Sequence, residues 1–159
     1  MAAVGDTIPD VEVQVLGDDG FPKPVRTGEV LGTGKVVLFS VPGAFTPGCT
    51  HIHLPGYING YDELAAKGVD DVFCVAVNDP WVMAAWADAT AAEEIHMLSD
   101  GNADFAVAME LTMDATGFGL GVRSQRYAAV IEDGVITALR VEQGPGIDVS
   151  SCIAVMEVL

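Results

Sequence analysis

Positively charged residues are scarce in this sequence of 159 residues, which contains 7 Lys and Arg against 23 Asp and Glu. The formal net charge of −16 argues against nucleic acids and anionic lipids as partners, because both are themselves negatively charged. Long apolar runs are also missing, and none approaches the ~18 to 20 residues of a transmembrane helix. The first residues contain neither a basic nor a hydrophobic segment, so we expect no secretory signal and a cytoplasmic location.

Cysteine is scarce too, with three residues at Cys49, Cys74 and Cys152. An odd number of cysteines does not suit a structural disulfide framework. The absence of a Cys-x-x-Cys pair argues against a disulfide oxidoreductase, which uses a partner three residues away. We therefore expect reduced thiols in a reducing compartment.

The length fits a single domain, residues 1–159, which can bury roughly two-thirds of its unfolded surface without disulfides or metal. Two nearly continuous apolar runs, 36–41 and 72–77, predict buried central strands. With the helical pattern between them, they predict a right-handed βαβ unit with a parallel strand pair. Asp133-Gly134 lies between two later apolar runs and predicts a hairpin. The sequence thus predicts an α/β fold with a mixed sheet.

Shorter elements are predicted around this centre. Strands are expected at 11–15 and 95–98, further helices from Asp79, Asn102 and Ser150, and Gly-rich or hairpin-like connections at 17–34 and 112–121. The helical pattern over 49–67 is interrupted by Pro55, which lacks an N–H and whose ring crowds the preceding turn. We therefore expect a separate short helix before Pro55.

The most informative stretch is 36–50, where a buried strand leads through a stiff loop into the start of a helix. Thr46 takes the N-cap position, Pro47 the first helical position and Cys49 the third. Unpaired N–H groups and the positive end of the helix dipole in that first turn favour thiolate over thiol. Because the thiolate is the nucleophilic form, Cys49 is predicted to be reactive. The alternative is a buried, inert cysteine that merely follows a cap.

Several motifs resemble those of one enzyme family. They are Val41-Pro42-Gly43-Ala44-Phe45-Thr46-Pro47-Gly48-Cys49-Thr50, His53-Leu54-Pro55-Gly56-Tyr57, Val77-Asn78-Asp79-Pro80-Trp81-Val82-Met83, Gly119-Leu120-Gly121-Val122-Arg123-Ser124-Gln125-Arg126-Tyr127 and Val141-Glu142. The pattern is similar to that of the peroxiredoxins, above all the subgroup of mammalian peroxiredoxin-five and the plant type II enzymes. The resemblance implies a thioredoxin-like three-layer sandwich, in which helices flank a mixed central β-sheet.

The resemblance also implies a thiol-dependent antioxidant enzyme that reduces hydrogen peroxide and small alkyl hydroperoxides. Cys49 matches the family's peroxidatic nucleophile, which forms a sulfenic acid that thiols then reduce. Thr46 matches the hydroxyl partner of peroxide and thiolate, and Pro42 the shield of the pocket. Arg126 matches the active-site arginine; from the residues alone, Arg123 competes for that place beside the thiolate.

Other residues complete the expected site. Gly48 and Cys49 should offer backbone N–H groups to the charge that moves onto the departing oxygen. Phe45 and Phe118, at loop positions, are expected to line the pocket or to form a dimer contact, because the resemblance suggests a homodimer.

The sulfenic acid must be resolved by a second thiol, and three routes are open. Cys74 lies in the middle of a strand, where a small buried hydrophobe is the favoured interpretation, although its position matches the second cysteine of the plant type II enzymes. Cys152 lies near the resolving cysteine of the mammalian subgroup but is displaced from it, in a turn where we expect an exposed, acidic thiol. The third route is reduction by glutathione, glutaredoxin or thioredoxin, which needs no second cysteine.

Two other functions stay open. A soft metal such as copper could bind through Cys49 and His53, which share a helical face, although no fourth ligand is evident. The chain could instead be a redox sensor whose oxidised form signals rather than turns over. The preferred interpretation, a peroxidase, needs neither a metal nor another cofactor.

Overall fold

The computed structural model describes all residues, Met1–Leu159. The strands are β1 Glu12–Leu16, β2 Pro22–Arg26, β3 Lys35–Ser40, β4 Asp71–Ala76, β5 His96–Ser99, β6 Thr112–Asp114, β7 Val122–Ser124, β8 Tyr127–Glu132 and β9 Val135–Val141. The helices are α1 Thr27–Val30, α2 Leu54–Ala66, α3 Pro80–Thr90, α4 Asp104–Met109 and α5 Cys152–Met156, with a π-helical turn at Cys49–His53 and a 3₁₀ turn at Thr116–Phe118. The chain contains no helix with the length and apolarity needed to span a membrane.

Seven strands form one mixed sheet in the order β2-β1-β5-β4-β3-β8-β9. β3, β4 and β5 run parallel, and β8 lies antiparallel beside β3. In this register Phe39 of β3 lies opposite Cys74 of β4 on one side and Ala128 of β8 on the other. The predicted mixed α/β sheet, with β3 and β4 as a parallel pair in its interior, is confirmed.

Hydrophobic side chains fill both faces of the large sheet. On one face, the strands pack against α2, α3 and α5 through residues such as Tyr57, Trp86 and Val155. On the other face, they pack against α4 and the end of α1, with Phe105 and Leu31 fully buried. The result is the three-layer sandwich that the resemblance implied.

Local turn and cap signals specified two of these elements correctly. Asp133 and Gly134 both have positive φ angles, 48° and 82°, and join β8 to β9 in the predicted hairpin. Asp79 caps α3, since its side chain accepts a hydrogen bond from the Val82 N–H at 2.8 Å.

Other local predictions were wrong. Ser151, not Ser150, caps α5 by accepting from the Ala154 N–H at 3.2 Å, because Ser150 is held by Glu142 instead. The segment 112–121, predicted as a loop, contains β6, which pairs with β7 in a separate two-stranded sheet. Strands of three residues carry too little periodicity to be recognised from sequence.

The two edges of the large sheet are β2 and β9. β2 contains Pro22 and Pro24, which have no backbone N–H. Along β9, the N-terminal segment adds a short bridge between Thr7 and Val135. Both edges therefore offer fewer free backbone donors than an open strand would.

Candidate active site

Cys49 lies where a central strand ends and a helix begins. β3 ends at Ser40, and the loop that follows leads into the π-helical turn Cys49–His53. The Leu54 N–H donates to the carbonyl oxygen of Cys49, five residues earlier, which is the bond that defines this wider turn. Isolated π-turns occur most often at functional sites, where they reorient a side chain.

The expected separate helix before Pro55 does not form. The π-turn continues directly into α2, and Pro55 lies in the first turn of that helix. Pro55 has no N–H, so the hydrogen bond that a regular helix would form from this position to the preceding turn is missing. The wider π-turn thus accommodates the proline ring that would have interrupted a regular α-helix.

The Cys49 side chain is fully buried and contacts one cation. Nη2 of Arg126 donates to Sγ of Cys49 at 3.2 Å. Nη1 of the same guanidinium donates to Nδ1 of His53 at 2.9 Å. Arg126 therefore bridges the thiol and the imidazole, and it places a positive charge against the sulfur of Cys49.

His53 orients this arginine as a neutral ring. Its Nε2 lies 2.9 Å from the carbonyl oxygen of Ser150, to which the Tyr57 hydroxyl also donates at 2.7 Å. Burial and the nearby Arg126 lower the pKa of His53 to about 4, against the opposing effect of the Ser150 bond. The neutral tautomer with its proton on Nε2 satisfies both contacts, because Nδ1 must accept from Arg126.

Thr46 lies next to the helix start but does not cap it. Its hydroxyl donates to the carbonyl oxygen of Gly43 at 2.6 Å, and no helix N–H donates to it. Its backbone carbonyl instead accepts the first helical hydrogen bond, from the Thr50 N–H at 3.0 Å. The predicted N-cap role was therefore wrong for the side chain, whose hydroxyl oxygen stays available as an acceptor.

A pocket of about 740 Å³ opens beside the thiol. Pro42, Thr46, Gly48 and Arg126 line it, as do several apolar side chains. The Gly48 N–H has no partner within the protein, so it is free to donate to a bound oxygen. The structure thus brings five of the predicted site residues to one pocket, since Phe118 lines it too. Cys49 is fully buried and does not itself line the pocket, but its sulfur contacts Arg126, which does.

The two aromatic residues that were predicted to line the pocket lie in different places. Phe118 lines the pocket together with Met113, Ala115 and Leu120. Phe45 does not line it: the residue is 54% exposed in the loop before Cys49, where its backbone has a positive φ of 65°. The prediction that Phe45 lines the pocket was wrong.

Arg123 binds carbonyl oxygens of loop residues rather than the thiol. Its Nε donates to the carbonyl oxygen of Leu120 at 2.9 Å, and its Nη1 lies 3.5 Å from that of Pro42. Arg126 is therefore the arginine beside Cys49, as the resemblance implied.

The other two cysteines are buried and unpaired. Cys74 lies inside β4, where burial raises the pKa of its thiol well above the ordinary value. Cys152, expected to be exposed and acidic, is 3% exposed, and burial raises its pKa to about 11. The expectation failed because α5 packs this thiol onto α2 beside Gly60, a contact between distant parts of the chain.

Sequence reasoning missed the role of Glu142. Its Oε1 accepts hydrogen bonds from the Asp148 N–H at 2.7 Å, the Ser150 N–H at 2.9 Å and the Ser150 hydroxyl at 2.8 Å. Glu142 thus fixes the carbonyl that holds His53. The Val141-Glu142 pair was the only signal for it, and nothing in the sequence located the segment 148–150 beside it.

Comparisons with known proteins agree with this geometry. The Redoxin family matches residues 3–156. Peroxiredoxin-2E-2, chloroplastic, from Oryza sativa subsp. japonica is 43% identical over 162 residues, covering 99% of this chain and 72% of that protein. Peroxiredoxin-2C from the same organism is 39% identical, covering 99% and 98% of the two chains. The crystal structure of reduced Prx3 from Vibrio vulnificus in complex with hydrogen peroxide superimposes with a TM-score of 0.95 at 47% identity, covering 99% of each chain.

Proposed function

This chain belongs to the redoxin family and is a peroxiredoxin, a thiol-dependent peroxidase of the plant type II group, and on that premise we propose Cys49 as its peroxidatic cysteine. The observation that carries the proposal is the 3.2 Å hydrogen bond from Arg126 to Sγ of Cys49. Among the three cysteines, only Cys49 has a cation in contact with its sulfur. A nearby cation is the feature that makes a cysteine nucleophilic.

The proposed step is a two-electron oxidation of sulfur. The Cys49 thiolate attacks one peroxide oxygen, a sulfur–oxygen bond forms and the oxygen–oxygen bond breaks. The departing oxygen takes a proton and leaves as water or an alcohol, while Cys49 becomes a sulfenic acid. Arg126, the Thr46 hydroxyl and the Gly48 N–H are placed to orient the peroxide and to stabilise the departing charge. Pro42 lines the same pocket and limits access of water.

For regeneration we propose an external thiol. One thiol condenses with the sulfenic acid and releases water, and a second displaces the first as a disulfide and restores Cys49. Glutathione with glutaredoxin fits this route, and thioredoxin is the alternative. The raised pKa values of Cys74 and Cys152 support it, because neither thiol presents a thiolate for attack in the folded protein.

We further propose a homodimer in a reducing compartment such as the cytoplasm. Three unpaired cysteines in one chain suit a reducing environment. Phe45 and Phe118 are exposed at loop tips, where large apolar side chains favour association.

The two alternative functions have less support. Both ring nitrogens of His53 already make hydrogen bonds, so a soft metal would have to displace Arg126 or Ser150. A sensor that does not turn over has no structural feature in its favour.

The experiment is peptide-resolved mass spectrometry of the reduced protein after one equivalent of hydrogen peroxide, with and without a sulfenic-acid trap. We expect Cys49 to be modified within seconds and to be trappable, and Cys49→Ser to abolish peroxide consumption. The matched controls are Cys74→Ser and Cys152→Ser, which should turn over with glutathione and glutaredoxin as the parent does. A Cys49 that stays reduced would overturn the assignment, and a disulfide from Cys49 to either cysteine would overturn the external route.

A further inference from the structure

The pocket beside the reactive thiol is larger than hydrogen peroxide requires. Its volume of about 740 Å³ falls in the range typical of sites for larger organic molecules. Thr46 and Arg126 form its polar part, whereas Met113, Phe118 and Leu120 supply apolar side chains. An organic hydroperoxide can therefore present its –OOH group to the polar part and its carbon substituent to the apolar part.

Only two charged residues, Arg126 and Glu142, line this pocket. The Glu142 N–H donates to the Arg126 carbonyl oxygen at 3.0 Å, which makes the two residues cross-strand neighbours. Their side chains nevertheless form no ion pair. Arg126 donates instead to Cys49 and His53, so the single arginine of the pocket does not neutralise Glu142.

Glu142 is held in its charged form. Burial opposes ionisation, but the donors from Ser150 and Asp148 outweigh it and keep the pKa of Glu142 below its ordinary value. All of these donors bind Oε1. The reactive form of Cys49 adds a second negative charge next to the pocket, against Arg126, so two anions and one cation lie at or beside it.

We propose that Glu142 makes this pocket selective for neutral organic hydroperoxides over hydroperoxides that carry a carboxylate. This inference rests on the proposed role of Cys49 as the peroxidatic residue. A substrate carboxylate would lose water on entering the pocket and would be repelled by Glu142 and by the thiolate. A neutral substituent has neither this desolvation cost nor this repulsion. The net charge of −16 adds repulsion of the carboxylated substrate at longer range.

The test compares two hydroperoxides of nearly equal size that differ in charge, the 4-carbamoyl and 4-carboxy derivatives of cumene hydroperoxide. The second-order rate of Cys49 oxidation is measured in single-turnover experiments, so that no reductant enters the comparison. We expect the neutral compound to react about tenfold faster at low ionic strength, and this ratio to shrink as salt is added. A ratio near one for the parent protein would overturn the proposal.

Glu142→Gln tests the assigned residue. An amide oxygen can still accept from Ser150 and Asp148, so the variant removes the charge but keeps the acceptor. We expect the ratio to fall at least threefold, mainly because the carboxylated substrate reacts faster. The control is Glu94→Gln, an exposed carboxylate just before β5 and thus at the opposite end of the parallel strands, which should leave the ratio unchanged.

The outcomes separate the two proposals. If Glu142→Gln and Glu94→Gln change the ratio equally, selectivity comes from net charge and the assignment to Glu142 is wrong. If neither hydroperoxide oxidises Cys49 in the parent protein, the proposed function itself fails. If Glu142→Gln does not fold, the salt dependence of the parent ratio decides whether charge governs selectivity.

Discussion

Arg126 depends on a histidine that carries no charge. A guanidinium has no acceptor atoms, so its direction is fixed only by the groups that accept from it. Here those groups are Sγ of Cys49 and Nδ1 of His53. A protonated His53 would have no lone pair for Arg126 and would repel it, so the arrangement requires a neutral ring.

The stability of the protein should therefore depend on pH through His53. The unfolded histidine has an ordinary pKa near 6.5, whereas in the folded protein the pKa is about 4. Between these values the unfolded state binds the proton and the folded state does not, so the free energy of unfolding falls as the pH is lowered from 6.5 towards 4. The loss should total about 3 kcal/mol, most of it by pH 4.5, in denaturant titrations at successive pH values.

The comparison for this prediction is His53→Asn, which keeps an acceptor towards Arg126 but does not titrate. Its free energy of unfolding should fall less steeply over the same pH range. Other groups, such as Asp100, whose pKa burial raises above its ordinary value, contribute equally to both proteins. Parallel curves for the two proteins would contradict the prediction.

At the level of the elements, α2 and α5 meet where a glycine leaves room for a thiol. A Cβ at Gly60 would lie 2.5 Å from Sγ of Cys152, closer than such atoms approach each other. The backbone of Gly60 is helical and has no positive φ, so glycine is needed there for space rather than for conformation. The effects of substitutions at Gly60 and Cys152 on the free energy of unfolding should therefore depend on each other.

The effect of Gly60→Ala on the free energy of unfolding should have opposite signs in the parent protein and in a Cys152→Ala background. In the parent protein we expect it to reduce the free energy of unfolding by about 1 to 3 kcal/mol, because the new methyl overpacks the contact with Cys152. In a Cys152→Ala background the space is free, and alanine should stabilise the helix by up to about 1 kcal/mol relative to glycine. Denaturant unfolding of the four proteins measures this coupling, and equal effects in both backgrounds would show that the contact is unstrained.

An element could be predicted from the sequence when residues next to one another in the chain determine it. The turn at Asp133-Gly134 and the cap at Asp79 are set by neighbouring residues, and both were predicted. The π-turn Cys49–His53 was not predicted, because the residues over 49–67 show only a helical pattern with a proline in it, and nothing in that pattern distinguishes a π-turn from a break.

The same distinction between local and distant causes applies to the residues of the candidate site. Cys49 and Arg126 were found through motifs, and the structure brings them into contact. The burial of Cys152 and the bonds of Glu142 depend on where α5 and the segment before it fold back, which no local pattern encodes. Phe45 was misjudged because its backbone has a positive φ angle, which is rare for phenylalanine.

For the whole molecule, the dominant electrostatic effect is repulsion. The chain carries 23 acidic and 7 basic residues, and its three ion pairs that do not involve histidine all lie at least partly in solvent. Exposed pairs contribute little, whereas a net charge of −16 destabilises the compact state. Salt should therefore stabilise this protein.

We expect the melting temperature to rise by a few degrees between 0.01 and 0.3 M sodium chloride, with little further change above that. The Debye length shrinks from about 30 Å to below about 8 Å over this range, so most of the screening occurs there. Thermal melts followed by circular dichroism measure the effect, and an uncharged osmolyte at matched osmolality serves as the control. A melting temperature that does not change, or that falls, would show that the ion pairs outweigh the repulsion.

The prolines of β2 limit how this molecule can meet a second copy of itself. A strand that adds to a sheet edge needs donors as well as acceptors along that edge, and Pro22 and Pro24 supply only carbonyl oxygens. A strand from a second molecule therefore cannot extend the sheet at β2 with a regular ladder of hydrogen bonds. At this edge, self-association must therefore proceed through side chains, and it will be sensitive to single substitutions there.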